Sequence, residues 1–395
     1  MLTPSEALEL ILARAPSLGS EQHRVAAGLV GRVLAAPVVS PIDVPPFAIS
    51  AMDGYAVRAS DLGDGPVPIA FRIAAGDAPS ALAPGAAAGI ATGAPMPDGA
   101  DSVVPIEDAE ERDGALVAEP PSRGAAVRDA GGDVAAGDTV ASAGDRLTPG
   151  RLAAIAAVGV PSVEVAARPR IAVLATGDEL TPPGQPLRPG MIYESNTTTV
   201  GSLALRAGGE VVHSELVPDD LEATRRAVKQ ALAEADVLVS SGGVSVGPHD
   251  HVKPALLSQG VEEVFWRIAH RPGKPLWFGV SQAGKLVFGI PGNPVSALVC
   301  FELFVRPALD RMQGAALTPR PVARLARDVP RLKTRDHAVR CRLVPGADGM
   351  QLVPDGPQDS HLIVHAAAAD AVALVTHGEG VAAAGELVEY VPLGY

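Results

Sequence analysis

The spacing of hydrophobic and polar residues changes several times along the chain, and each change marks a different kind of element. Thr3-Pro4-Ser5-Glu6 forms a capping-box pattern with proline at the first helical position, and Leu8, Ile11 and Leu12 follow on one helical face. A second helical stretch is expected from about Ala26 to Ala36, ended by Pro37. Pro41, Pro45 and Pro46 then break the composition. From about 43 to 145, short runs such as 67–73 and 102–106 stand between Gly, Pro and Asp turns, which predicts small β structure. Helical spacing returns at Thr148-Pro149, with Leu152, Ile155 and Ala156 as apolar positions. Short amphipathic helices must bury their faces on something, so the two flanking helical pieces are expected to pack together around an inserted β segment.

Beyond Arg168-Pro169-Arg170 the pattern becomes strand, loop and helix in alternation. Runs at 171–175, 237–240, 276–280 and 285–290 read as buried strands. Residues 196–207, 219–235 (capped at Asp219 with Glu222) and 294–312 read as helices. This is a βαβ series and predicts an α/β domain with a mostly parallel sheet. After Thr318-Pro319-Arg320-Pro321 the residues alternate, as at 339–344 and 387–391, with turns at Gly346, Gly349 and Gly356, so a small β domain closes the chain. The expected divisions are 1–42 and 146–168 for a split helical domain, 43–145 for the β insertion, 169–316 for the α/β domain and 317–395 for the C-terminal β domain.

Composition narrows the function. Acidic residues number 45 and basic residues 32, a net charge of −13 that disfavours a nucleic-acid partner. Cys300 and Cys341 are the only cysteines, too few for a disulfide framework or a thiolate zinc site, and Cys300 sits in an apolar run as a buried thiol would. Glu6 and Glu9 occupy positions where a signal peptide is basic, and no apolar run approaches the ~18 residues of a membrane span. A cytoplasmic protein with no membrane partner is expected.

Ligands of open α/β sheets bind beyond the carboxyl ends of the strands, and three such loops are unusual. Thr176-Gly177-Asp178-Glu179 sets two adjacent carboxylates at a strand end. Residues 241–247 (SGGVSVG) include Ser241, Gly242, Gly243 and Ser245, where glycines admit a ligand to the backbone and hydroxyls add donors. In Pro291-Gly292-Asn293-Pro294-Val295-Ser296, Asn293 is the expected N-cap, and the helix start beyond it favours an anion. Together they describe a phosphate pocket. Arg271 and Lys274, in a proline-stiffened loop, add two cations. His249-Asp250-His251 and the pair His361 and His365 each lack a third metal ligand nearby, so neither is expected to be a metal site. Neither G-x-G-x-x-G nor a Walker A sequence is present, against dinucleotide oxidoreductases and P-loop phosphotransferases. The β insertion holds carboxylates, a hydroxyl and a cation on irregular backbone, in the stretches 50–56, 92–97 and 128–133, a set suited to a metal-and-oxyanion site.

Six stretches in fixed order carry a family resemblance: SAMDGYAV at 50–57, TGAPMPDGADSVV at 92–104, TGDEL at 176–180, SSGGVSVG at 240–247, RPGKP at 271–275 and PGNPVS at 291–296. Nearly end to end, the chain resembles the molybdopterin molybdotransferase (molybdenum insertase) family, which includes the C-terminal part of gephyrin. The resemblance implies a split helical domain with a β insertion, a molybdopterin-binding α/β domain and a C-terminal β-barrel. It implies a homodimer whose active site lies between the α/β domain of one subunit and the β insertion of the other. The implied reaction takes adenylylated molybdopterin and molybdate, with Mg²⁺, to molybdenum cofactor and AMP.

Asp53, Thr92, Arg128, Asp133, Asp178 and Glu179 match the family's catalytic motifs, with Asp53, Asp178 and Glu179 implied for Mg²⁺. The pterin and its phosphate are implied to lie over Ser241, Gly242, Gly243, Ser245, Asp250, Pro291, Gly292, Asn293, Pro294 and Ser296, with Arg271 and Lys274 nearby. Molybdopterin adenylyltransferase and molybdoenzymes are the implied transient partners. Two rivals stand beside this reading: a molybdopterin adenylyltransferase, which shares the strand-GG-S loop, and a gephyrin-like scaffold that binds peptides.

Overall fold

The computed structural model describes residues 1–243, 250–316 and 318–394. At its centre is a six-stranded sheet in the order Glu210–Val217, Arg170–Thr176, Val237–Ser241, Leu286–Ile290, Trp277–Val280, Glu262–Trp266. The first four strands are parallel, and the last two join antiparallel. Side chains alternate between two cores: Ile171, Val173, Val239 and Phe288 face one, while Ala172, Leu174, Leu238 and Val287 face the other. Helices Asn196–Arg206 and Pro294–Cys300 cover the first face, and Leu221–Glu234 and Val252–Ser258 the second. Burial on both faces explains why these strands read as unbroken apolar runs. The long helix expected from Pro294 continues through a π-turn, Phe301–Val305, into Arg306–Met312.

The β insertion is a second six-stranded sheet, ordered Ser102–Pro105, Gly54–Val57, Ala87–Ile90, Val67–Ile73, Ala115–Ala118, Ala109–Arg112. A Cβ on Gly54 would lie 2.0 Å from the Val104 carbonyl oxygen, so this glycine of the 50–57 motif is required by strand packing. In the C-terminal region five strands close into a barrel, Asp336–Gly346, Gly349–Pro354, Val322–Leu325, Leu387–Pro392 and Ala371–Val375, which pairs back onto the first. The short strand His270–Arg271 of the α/β domain pairs with the start of the first of these.

Four local expectations are corrected. Between 26 and 36 only Ala27–Leu29 is helical, as one 3₁₀ turn, because Gly31 takes φ +84° and Val33 and Leu34 bridge to Arg146 and Val165. The flanking helices enter different cores. Ala7 and Ile11 of Pro4–Leu12 pack with Phe301 and Leu309 of the α/β domain, while Leu152 and Ile155 of Pro149–Ala157 pack with Leu29 and Leu34. The flanks of the insertion meet instead through the antiparallel pair Ser20–Arg24 and Ser162–Ala166. Ala156 is exposed. The helix expected from Asp219 starts at Leu221 with Asp220 as its cap, which accepts a hydrogen bond from the Ala223 N–H at 2.7 Å.

Candidate functional site

Pairing register brings the three loops together. Ser241 stands level with Ala175 on one side and Ile290 on the other, so three neighbouring strands end at one height and their loops open side by side. A cavity of about 730 Å³ lies there, lined by Thr176, Glu179, Asp219, Ser241, Gly242, Gly243, Asp250, Pro291, Gly292, Asn293 and Pro294 among others. Gly242 and Gly243 have φ of +89° and +65°. A Cβ on Gly243 would come within 2.5 Å of Val252 Cγ2 and 2.9 Å of Thr176 Oγ1. Gly243→Ala combines a left-handed backbone cost with overpacking against a buried valine, so urea denaturation is expected to show a loss of about 2–4 kcal/mol. A loss below about 0.5 kcal/mol, the level of an ordinary surface change, would contradict this. At Gly292 a Cβ would meet the Gly242 backbone no closer than 3.6 Å, an ordinary contact, so Gly242 and Gly243 are the glycines the local backbone requires. Ser245 lies outside the described residues.

The expected carboxylate pair divides. Asp178 and Asp219 are tied reciprocally: the Asp219 N–H donates to Asp178 at 3.0 Å and the Asp178 N–H to Asp219 at 3.3 Å. Both Asp178 and Glu179 are exposed, and Glu179 lines the cavity. Sequence reasoning missed Glu194 and Asn196. Buried Glu194 accepts hydrogen bonds from the Thr197 N–H at 2.9 Å and from the Asn196 N–H, which holds the start of helix Asn196–Arg206 against the cavity. The Asn196 amide donates to Ser241 Oγ at 2.8 Å and to the Gly292 carbonyl at 2.7 Å, so one side chain ties two of the three loops. The only signal was a polar run, Glu194-Ser195-Asn196, opening a helix.

Asn293 precedes helix Pro294–Cys300 as expected but makes no side-chain cap. Its amide donates instead to Ser360 Oγ at 2.9 Å, and the Val295 N–H donates to the Ser360 carbonyl at 3.0 Å. The helix start is thus held by a segment of the C-terminal domain. A smaller cavity, about 240 Å³, adjoins here and shares Pro275, Pro291 and Asn293 with the larger one. It is lined by Arg271, Lys274, Ser296 and, from the C-terminal domain, Arg335, Asp359 and Ser360. Arg271 and Lys274 are exposed, and their loop is anchored from below, where Gly273 (φ +105°) packs on the buried Cys300 thiol. Burial pushes that thiol up to about 12, leaving an inert side chain.

The same loop rests on His270, which is 2% exposed and whose Nδ1–H donates to the Pro272 carbonyl at 2.6 Å. Burial holds this imidazole down from 6.5 to about 4. Folded, the ring stays neutral where the unfolded chain takes up a proton. Its contribution is therefore complete above pH 6.5 and is lost as the pH falls towards 4, by about 3 kcal/mol in total. Denaturation midpoints at pH 7 and pH 4.5 should fall further for the unaltered protein than for His270→Gln. Parallel declines would overturn this assignment.

Asp53, Thr92, Arg128 and Asp133 are all exposed on the insertion. The Thr92 N–H donates to Asp53 Oδ1 at 2.7 Å, and Arg128 is carried by Val127–Arg128, which pairs with Ile49–Ser50 just before the Asp53 turn. None of the four lines either cavity. Among the described residues no three His, Cys, Asp or Glu form a metal-holding group.

Comparison with known proteins covers nearly the whole chain. The MoeA N-terminal region (domain I and II) matches residues 2–159, the probable molybdopterin binding domain matches 172–311, and the MoeA C-terminal region (domain IV) matches 322–393. Molybdopterin molybdenumtransferase 2 of Mycobacterium tuberculosis is 39% identical over 306 residues, 74% of this chain and 75% of the relative. The molybdopterin molybdenumtransferase of Haemophilus influenzae is 36% identical over 325 residues, 81% and 80% of the two chains. A crystal structure of the molybdopterin biosynthesis MoeA protein from Pyrococcus horikoshii superposes with a TM-score of 0.83 at 26% identity, covering 99% of this chain and 100% of that one.

Proposed function

The chain belongs to the molybdopterin molybdenumtransferase family, transferases of molybdenum cofactor biosynthesis, and on that premise we propose that it converts adenylylated molybdopterin and molybdate to molybdenum cofactor and AMP. The observation that carries this reading is the pair of adjoining cavities. The larger one offers backbone at Gly242 and Gly243 to a phosphate, together with enough volume for a pterin. The smaller one presents Arg271, Lys274 and Arg335 to a small dianion such as molybdate, at the point where the two spaces share Asn293. These cations draw the oxyanion in despite the net charge of −13.

The donor set also suits Mg²⁺. This ion keeps several waters and takes only one or two carboxylates beside substrate phosphates; Glu179 lines the larger cavity, Asp178 precedes it, and Asp53 would come from the partner subunit. When bound there, Mg²⁺ supplies the charge that lets a phosphate approach carboxylates. Asp53, Thr92, Arg128 and Asp133 enter as a partner subunit's contribution in a homodimer. Two things support that reading: they lie outside both cavities, and the exposed apolar residues Phe47 and Met52 lie close to Asp53 in sequence. We place the protein in the cytoplasm, receiving substrate from molybdopterin adenylyltransferase and passing product to molybdoenzymes. The described residues include no helix long and apolar enough to cross a membrane.

The test is incubation of the purified chain with adenylylated molybdopterin. AMP release is expected to require molybdate and Mg²⁺ and to consume no ATP. ATP-dependent adenylylation of molybdopterin would instead establish the adenylyltransferase.

A further inference from the structure

We propose that Asn196 is the residue that reads the substrate's heterocycle, its Oδ1 accepting a hydrogen bond from the exocyclic amino group of the pterin. This rests on the pterin-binding reading above. Asn196 is 9% exposed and lines the larger cavity. Both hydrogens of its amide nitrogen are committed, one to Ser241 Oγ at 2.8 Å and one to the Gly292 carbonyl at 2.7 Å. Those two bonds fix which way the amide faces, since a flipped side chain would set its oxygen against the Gly292 carbonyl oxygen. The oxygen is left buried without a partner in the chain, one of the few such atoms among the described residues. A buried acceptor without a donor costs about 1–3 kcal/mol, and this one belongs to a side chain that lines the cavity just beneath its surface, which points to a ligand that supplies the donor.

The ligand's donor is narrowed by charge. An acceptor-only atom repels phosphate, thiolate and molybdate oxygens, so none of the substrate's anionic groups belongs at this point. Glu194 stands behind Asn196 and also lines the cavity, with its carboxylate engaged by Thr197. Asn196 Oδ1 and Glu194 thus add only acceptors at this point, and the phosphate's place is the backbone of Gly242 and Gly243 in the same cavity. Of the pterin's N–H groups, the exocyclic amine projects furthest from the ring and best reaches a recessed oxygen.

The experiment measures dissociation constants for two probes, 6-hydroxymethylpterin phosphate and its lumazine counterpart, in which a carbonyl replaces the 2-amino group. The unaltered chain should favour the pterin about tenfold or more, the scale of one good hydrogen bond. Asn196→Ala opens the tie between Ser241 and Gly292 and weakens both probes, but only Oδ1 distinguishes them, so the ratio should fall to about one. Asn196→Asp keeps an acceptor and removes both donors. It should bind both probes more weakly and still favour the pterin. An unchanged ratio in Asn196→Ala, or a ratio of one in both variants, would leave Asn196 as a loop tie alone and overturn the proposal. No preference in the unaltered chain would also overturn it, whereas failure of that chain to bind either probe would remove the pterin reading itself.

Discussion

Asp53→Asn and Glu179→Gln are each expected to lower molybdate-dependent AMP release by about 10²–10³-fold, the loss typical when a charge-stabilising group is removed from a reaction site. Pterin-phosphate affinity should stay within about threefold, less than the tenfold that one hydrogen bond commands. The separation follows from where the carboxylates sit. Both residues are exposed, so removing a charge disturbs no core. Asp53 Oδ1 accepts the Thr92 N–H at 2.7 Å, and asparagine retains that oxygen, so the turn keeps its hydrogen bond while the second oxygen loses its charge. Glu179 lines the large cavity but is not among the groups that hold its loops together, a task that falls to Asn196, Ser241 and Glu194. Turnover by single-turnover AMP release and affinity by fluorescence titration separate the two effects. A parallel loss of both would mean that these carboxylates bind the pterin rather than promote transfer.

The same two variants should rescue one another. If each site combines the α/β domain of one subunit with the insertion of its partner, a dimer of Asp53→Asn and Glu179→Gln chains holds one site with both normal carboxylates and one with neither. Co-expression under two affinity tags and isolation of doubly tagged protein should then restore about half the normal turnover per dimer, from parents that are each nearly inactive. The contrast is large because recovery starts from a loss of about 10²–10³-fold. It arises only if the damaged groups lie on different chains at each site. A mixed dimer no more active than its parents, with subunit exchange verified, would place each site within one chain.

The predicted strands of the α/β domain were legible because burial on both faces demands unbroken apolar runs, and Ile171, Val173 and Leu174 obey that demand locally. Their loops were legible because Gly242 and Gly243 take backbone angles that few other residues tolerate. Element type, the strand-end loops and the closing β domain were thus written in nearest-neighbour chemistry. Local pattern failed wherever a distant partner decided the outcome. The stretch around Gly31 loses its helix to bridges with residues more than a hundred positions away, and Pro4–Leu12 leaves its flanking companion for the face beside Phe301 and Leu309.

The site divides the same way. The sequence determined which groups are present: paired carboxylates at a strand end, glycines for a phosphate, and two cations in a proline-stiffened loop. Tertiary structure decided their assignment. Register placed Ser241 level with both neighbours, Asp219 drew Asp178 into a mutual tie, and Ser360 took the capping role expected of Asn293. Asn196 shows the reason most plainly: its two donors lie 45 and 96 residues from their acceptors, and hydrogen bonds across such separations leave no periodicity for a local pattern to record.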